Sequence, residues 1–189
     1  MLAIILDWDD TLFSTTYLMN KKINADNKRY YEHKFKSLEN SIICLLKKTL
    51  QYRNVYIMTN ASMSWFNNCL KNYCPRIIPY LGGLKGIISA RDMYGEFVSN
   101  IVMWKSFCIL DIININKEIN PVTNILFVSD LNNDFKSVYK VKAMHPQLKI
   151  KTYKFKEEPM ICQLIKQQRD FTRFLDFIIR DNKIKNYRF

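Results

Sequence analysis

Five short apolar runs are separated by longer segments in which apolar residues recur at helical spacing. Near-continuous runs such as NVYIMT and NILFV are typical of strands that are buried on both faces of a sheet. The last run, KIKTYKF, alternates more and carries three lysines, which predicts an edge strand. The five predicted strands are residues 2–6, 54–59, 86–90, 124–128 and 149–155.

Helices are predicted between these strands. Residues 37–50 carry an apolar stripe, with Ser37 as the predicted N-cap, and Pro159 is suited to open a last helix. Strands that alternate with helices predict an α/β fold. We therefore expect a three-layer, Rossmann-like domain around a mainly parallel five-stranded sheet. The other predicted helices are residues 62–73, 97–113 and 133–143.

The chain of 189 residues suits a single domain, and its 4 Gly and 5 Pro leave little room for long flexible linkers. Within 1–189 we distinguish a small insertion, 13–36, and a C-terminal part, 157–189, made of a helix and a basic tail. The tail, RDNKIKNYRF, is expected to fray.

Acidic and hydroxyl side chains follow three of the predicted strands. The first strand ends in Asp7, the second in Thr59 and the fourth in Ser129 and Asp130. In open α/β sheets ligands bind beyond the carboxyl ends of the strands, so these side chains should lie together. Carboxylates at this density repel one another and need a cation. Oxygen ligands favour Mg²⁺, with phosphate and water completing its shell.

These residues resemble the four motifs of the haloacid dehalogenase (HAD) superfamily, whose members are mostly magnesium-dependent phosphatases. The resemblance covers about residues 2 to 155 and implies a HAD-like fold with a minimal cap. The lysine motif is the poorest in pattern, and Lys85 competes for it. The matched residues are Asp7-Trp8-Asp9-Asp10-Thr11, Thr59 in IMTNAS, Lys105 in MWKSF, and Asp130 with Asp134 in VSDLNND.

The resemblance implies distinct roles for the first three acids. Asp7 would attack phosphorus, form an aspartyl-phosphate and bind Mg²⁺. Asp9 would protonate the leaving group and then activate water, while its backbone carbonyl binds the metal. Dehalogenases of this superfamily lack the second Asp, so Asp9 favours phosphoester hydrolysis. Asp10 falls on a variable position, and we interpret it as a turn residue.

The other motifs imply a phosphate site and the rest of a metal site. Thr59 and Asn60 would hold the phosphoryl group, and Lys105 would neutralise its charge. Asp130 would complete the metal site. Asp134 would be a metal ligand through water or a support for the ligands.

The chain is strongly basic, with 29 Lys and Arg against 17 Asp and Glu and a net charge of +12. One interpretation is a phosphate-rich partner, such as nucleic acid bound through the insertion, 13–36, where basic and aromatic residues interleave. The other is codon bias, with the insertion a solvated segment whose aromatics pack on the core. Both remain open from the sequence.

The short insertion is too small to fold as an independent cap. Cap-poor members of the superfamily favour bulky substrates, so the resemblance implies a phosphatase that acts on a nucleic-acid end or a phosphoprotein. Some members instead oligomerise and use small molecules, which leaves a nucleotide or metabolite phosphatase as an alternative. A non-catalytic module that binds nucleic acid or protein on the same fold is another.

The sequence also predicts a cytoplasmic protein without a membrane partner. The start, MLAIILDWDD, lacks the basic end and long apolar core of a signal peptide. The apolar run FVSNIVMWKSFCILDII is interrupted by Lys105 and Asp111, so it falls short of a membrane span. The five cysteines are interpreted as reduced thiols.

Overall fold

All six strands of the sheet are parallel, in the order β3-β2-β1-β4-β5-β6. The structure is a computed structural model that describes residues 1–181 and 186–188. Residues of β1, β2 and β4 are buried on both faces, as their apolar sequences require. The strands are β1 (Leu2–Asp7), β2 (Val55–Thr59), β3 (Gly86–Ser89), β4 (Asn124–Ser129), β5 (Lys149–Lys154) and β6 (Asn186–Arg188).

Helices cover both faces of this sheet and bury two hydrophobic cores. One core joins the sheet to α2, α3 and α8, and α2 packs along α8. The other joins it to α5, α6 and α7. The helices are α1 (Thr15–Asn20), α2 (Glu32–Thr49), α3 (Met63–Tyr73), α4 (Ile78–Leu81), α5 (Ala90–Tyr94), α6 (Ile101–Ile115), α7 (Asn132–Met144) and α8 (Ile161–Arg180).

The α/β class and the parallel, Rossmann-like sheet are confirmed, but the strand count is wrong by one. β6 pairs with β5, so the segment predicted at 149–155 lies inside the sheet and not at its edge. β6 is formed by part of the basic tail that we expected to fray, so that part of the prediction is wrong. The rest of that tail, residues 182–185 and 189, lies outside the described residues.

Two helix starts differ from the prediction. α2 begins at Glu32, so Ser37 lies inside the helix, where its hydroxyl donates to His33 O at 2.9 Å instead of capping. α2 begins with three polar residues, so the spacing of apolar positions did not predict its first turn. Pro159 precedes α8 by two residues, and the helix itself begins at Ile161.

The segment predicted as an insertion, 13–36, contains α1, a 3-10 helix at Lys28–Tyr31 and the first turn of α2. The side chains of Tyr17 and Phe35 are buried in the core, whereas Tyr30 is 79% exposed. Among the described residues, no helix has the length and apolar character needed to cross a bilayer.

Candidate functional site

The strand ends that carry acidic and hydroxyl side chains lie together at one edge of the sheet. β1 lies between β2 and β4, with Asp7 opposite Met58 on one side and Leu6 opposite Val128 on the other. The side chains that follow these strands therefore converge on one crevice. Asp7, Thr59, Ser129 and Asp130 are all at most 3% exposed there.

Lys105 reaches this crevice from α6 and joins two of the acids. Its Nζ lies 2.8 Å from Asp7 Oδ1 and 2.6 Å from Asp134 Oδ2, and the side chain is 1% exposed. Ser129 Oγ lies 2.6 Å from Asp134 Oδ2 and 3.1 Å from Asp7 Oδ2. Lys85, the competing lysine, is exposed immediately before β3. The structure thus brings Lys105, not Lys85, to the acids.

Burial dominates the electrostatics of this group. It raises the pKa of Asp7 well above the ordinary value; Lys105 opposes this rise, and the carboxylates of Asp134 and Asp130 add to it. Burial alone would lower the pKa of Lys105, but Asp134 and Asp7 more than compensate, so the pKa is raised. The lysine therefore stays charged, and it is the cation on which the neighbouring acids depend.

Asp130 is buried with little compensation. Its Oδ1 accepts a long 3.4 Å hydrogen bond from Thr11 Oγ1, and its backbone oxygen accepts one from Lys154 Nζ. Burial, followed by the charges of Asp10 and Asp134, raises the pKa of Asp130 to about 7. A buried carboxyl in this state is one that a bound cation would stabilise in its ionised form.

Asp9 points to the end of β2 and is held by three donors. Its Oδ2 accepts from Thr59 Oγ1 at 2.7 Å, and its Oδ1 accepts from Thr15 Oγ1 at 2.5 Å and Trp65 Nε1 at 3.1 Å. Asp9 is only half-buried, unlike Asp7. It is thus a fixed, partly accessible carboxyl group beside the predicted phosphate-binding threonine.

The chain leaves β1 in a tight turn that presents these acids. Trp8 O accepts from Leu12 N at 2.9 Å and Phe13 N at 2.8 Å. Asp10 has a φ of 53°, and its Oδ1 accepts from Thr16 N at 3.0 Å. An Asp tolerates this left-handed conformation better than most residues. The interpretation of Asp10 as a turn residue is confirmed.

Thr59 and Asn60 stand together at the end of β2, where a phosphoryl group was predicted to bind. Thr59 Oγ1 accepts from Ala61 N at 2.9 Å while it donates to Asp9. Asn60 Oδ1 is buried and has no hydrogen-bond partner among the described residues. Ser62 caps α3 by accepting from Trp65 N at 3.2 Å, so the first amides of α3 face the same end of the sheet.

Among the described residues, the four acids predicted to bind Mg²⁺ are not arranged as one metal-binding group. No group of three or more His, Cys, Asp or Glu is arranged to hold a metal ion in the part of the chain that the structure describes. Asp134 Oδ2 is taken by Lys105 and Ser129. Asp7 also contacts Lys105 and Ser129, and its Oδ1 accepts from Trp8 N at 2.8 Å. The carboxyl group of Asp130, by contrast, has only the long bond from Thr11 among the residues that the structure describes. Mg²⁺ commonly binds one or two carboxylates and fills its shell with phosphate and water, so Asp130 with one oxygen of Asp7 would be enough to hold it.

Sequence reasoning missed several residues that position the site. Trp65 and Thr15 orient Asp9, and Gln168 of α8 donates to the backbone oxygens of Thr11 and Leu12 at 3.0 and 2.8 Å. The position of Trp65 could have been predicted, because long side chains in the first turn of a helix point back toward the strand end that precedes it. Gln168 had none, since it lies far along the chain from the turn.

No family model, curated protein or solved structure matches this chain.

Proposed function

We propose that this chain is a HAD-type, Mg²⁺-dependent phosphoester hydrolase acting in the cytoplasm, with Asp7 as its nucleophile. The observation that carries the proposal is the buried bridge in which Lys105 holds Asp7 Oδ1 and Asp134 Oδ2. That bridge fixes one oxygen of Asp7, while its Oδ2 is contacted by Ser129 at 3.1 Å. Asp9 lies two residues further along the chain, its carboxyl group held by Thr59, and would transfer the proton.

In the first step Asp7 Oδ2 attacks the phosphorus atom, and the bond from phosphorus to the leaving oxygen breaks. Asp9, in its protonated form, gives its proton to that leaving oxygen. Lys105 keeps Asp7 oriented throughout. The products are an alcohol and an aspartyl-phosphate on Asp7.

In the second step water attacks the aspartyl-phosphate, and Asp9, now ionised, takes a proton from it. The bond between Asp7 Oδ2 and phosphorus breaks, which releases inorganic phosphate and restores the carboxylate. Thr59 and Asn60 hold the phosphoryl oxygens in both steps: the Thr59 hydroxyl does so once it turns away from Asp9 Oδ2, and the Asn60 side-chain amide and nearby backbone amides add further donors.

Asp7 and Asp130 would hold the Mg²⁺, with the backbone carbonyl of Asp9 as the resemblance implies and Asp134 in support. When bound, the metal supplies positive charge to the phosphoryl oxygens and to these carboxylates. Asp134 supports the pair by fixing Lys105 and Ser129.

The test is hydrolysis of an aryl phosphate with Mg²⁺ and with chelator. We expect Mg²⁺-dependent turnover that Asp7→Asn reduces by at least about a thousand-fold, and that Asp26→Asn, on an exposed loop, leaves unchanged. An aryl oxygen leaves with little help from an acid, so Asp9→Asn should mainly slow the second step, and the intact mass of the protein should show one added phosphoryl group. Equal activity in wild type and Asp7→Asn would refute the nucleophile.

A binding module without catalysis is the second candidate, because Asp7 is only 3% exposed and Thr59 is fully buried. A substrate must reach Asp7, whereas a structural cation site has no such need. Wild type that turns over neither aryl phosphate nor phosphorylated oligonucleotide and phosphopeptide would favour this candidate. For the enzyme, the small insertion favours a bulky phosphorylated substrate over a nucleotide or metabolite.

A further inference from the structure

A cleft of about 480 Å³ opens on the face of the molecule that carries α2 and α3. α2 forms one wall, and the end of α3 with the 3-10 helix Pro75–Ile77 forms the other. The 3-10 helix Lys28–Tyr31 closes one end. Its lining combines cations, two acids and two aromatic rings.

The cleft has a surplus of positive charge. Four cationic side chains, Lys28, Arg29, Lys36 and Arg76, line it with two acidic ones. Lys36 pairs with Glu32 at 2.8 Å, and Arg76 contacts the buried Glu39 through its backbone N at 2.6 Å and its Nη1 at 3.5 Å. Neither Lys28 nor Arg29 forms a salt bridge with any residue that the structure describes. The pKa of Glu32 is lowered mainly by Lys36, and the charge of Arg29 adds to this effect. Because neither Lys28 nor Arg29 is held in an ion pair within the described part of the chain, both are available to an anionic ligand.

A fixed aromatic ring lies in the same cleft. Tyr73 is half-buried, with its ring centroid 4.9 Å from that of Phe35 and 5.9 Å from that of Phe13. Its hydroxyl donates to Ile23 O at 3.4 Å. These contacts hold the ring in place before any ligand binds, which lowers the entropy cost of stacking on it.

We propose that this cleft binds single-stranded nucleic acid, with phosphates on Lys28 and Arg29 and an unpaired base on the Tyr73 ring. Unpaired cations that track a backbone, next to an aromatic side chain, are the elements of sequence-tolerant single-strand binding. A base can stack on Tyr73 only when it is not enclosed in a duplex. A phosphopeptide would use the cations but would leave the ring without a role.

The cleft is separate from the acidic crevice. The Phe13 ring lies between them, 5.9 Å from the Tyr73 ring and 5.6 Å from the Trp8 ring beside Asp7. The inference therefore specifies a partner for the proposed phosphatase without resting on its chemistry. Binding without turnover and turnover without binding are distinguishable results.

The test is fluorescence anisotropy with a labelled single-stranded oligonucleotide of about 12 nucleotides, in chelator so that no hydrolysis is possible. Wild type should bind, and its affinity should fall as salt rises from about 50 to about 200 mM. The double variant Lys28→Glu/Arg29→Glu should bind at least about ten-fold more weakly and lower the salt slope by about 1.4. Arg29 is exposed and Lys28 is partly exposed, and neither lies in the hydrophobic core, so the fold should survive.

The matched control is Lys117→Glu/Lys140→Glu, which makes the same charge change at exposed positions on the α6 and α7 side of the sheet. It should bind like wild type. Tyr73→Leu should weaken binding roughly ten-fold, whereas Tyr73→Phe, which keeps the ring, should not. Equal losses in both charge variants, no loss in Tyr73→Leu, or tighter binding of a duplex or a phosphopeptide would overturn the proposal.

Discussion

Lys105 is the side chain on which the buried acids depend. It compensates Asp7 and Asp134 at once, at 1% exposure, where water cannot replace it. Removing one partner of a buried ion pair leaves uncompensated charge behind, which costs far more than the pair itself contributes. The free energy of unfolding should therefore be more sensitive to the loss of the Lys105 ammonium group than to the loss of an exposed lysine.

We expect Lys105→Met to lower the free energy of unfolding by about 3–5 kcal/mol in urea denaturation. Lys36→Met is the control, because it breaks the exposed pair with Glu32 and should cost less than about 1 kcal/mol. Adding Asp134→Asn to Lys105→Met should restore part of the loss, since one uncompensated charge is removed. Similar losses for both lysines would contradict this account of the crevice.

Asp130 should make the metal-free protein less stable as pH rises. The pKa of Asp130 is about 7 in the folded chain because of burial, against about 4 when unfolded. Between these values the folded state retains a proton that the unfolded chain has released. Stability should fall between about pH 4 and pH 7, by an amount on the order of 4 kcal/mol, and then level off.

Urea denaturation in chelator across this pH range measures the effect. Asp130→Asn should show a shallower decline, and the raised pKa of Asp7 should keep part of the slope. A wild-type stability that rises through the window would contradict the burial argument. The same decline of stability with pH in wild type and Asp130→Asn would also contradict it.

The site residues that could be predicted are those that follow strands. Asp7, Thr59 and Asp130 come directly after apolar runs, so their meeting follows from parallel strands alone. Lys105 lies on a helix and needed the resemblance. The donors Trp65 and Thr15 could not be assigned to Asp9, because their contacts depend on how helices and turns pack rather than on any local pattern.

At the scale of elements, α8 holds the turn that carries the acids. Gln168 is fully buried and donates to the backbone oxygens of Thr11 and Leu12. Ser14 Oγ donates to Pro159 O at 3.3 Å, just before α8 begins. The C-terminal helix therefore positions the turn as well as covering one face of the sheet.

We expect Gln168→Leu to lower kcat of the proposed hydrolase with little change in KM, because the turn loses its two buried donors. The unsatisfied carbonyls should also cost about 1–3 kcal/mol of stability. Arg169→Leu on the exposed side of α8 is the control and should keep wild-type kcat. Steady-state kinetics and urea denaturation of both variants check this, and equal kcat values would rule out the positioning role.

Among the elements, the buried parallel strands were the most predictable. The five predicted strands agree with β1 to β5 within one residue at each end. For β1, β2 and β4 the reason is that burial on both faces leaves a continuous apolar run. β6 is only three residues long, and it pairs with β5, where Thr152 Oγ1 donates to Asn186 Oδ1 at 2.7 Å; Tyr139 of α7 donates to the same oxygen at 2.8 Å. Too short for a periodicity, it is specified by its partner strand.

At the scale of the whole molecule, the crevice lies where the strand order reverses, between β1 and β4. β1 connects through α2, on one face, to β2, whereas β4 connects through α7, on the other face, to β5. The chain therefore diverges between β1 and β4 and leaves a gap at their carboxyl ends. Asp7 and Asp130 lie in that gap. The acidic side chains are thus close together there, although the protein as a whole is strongly basic.

Added Mg²⁺ should stabilise the folded protein at this gap, whatever the substrate. A ligand at a hundred times its Kd adds about 2.7 kcal/mol to the free energy of unfolding. Because Asp130 must be ionised to bind and has a pKa of about 7 when no metal is present, the gain in Tm should be larger at about pH 8 than at about pH 5.

Thermal unfolding with and without Mg²⁺ at both pH values measures this gain. Asp130→Asn should abolish it, and Asp26→Asn, which removes an exposed acid, should preserve it. A gain that is the same in all three proteins would reflect general screening of the acids. No gain in wild type would mean that Lys105 alone compensates the crevice, and the magnesium site would then be refuted independently of any activity assay.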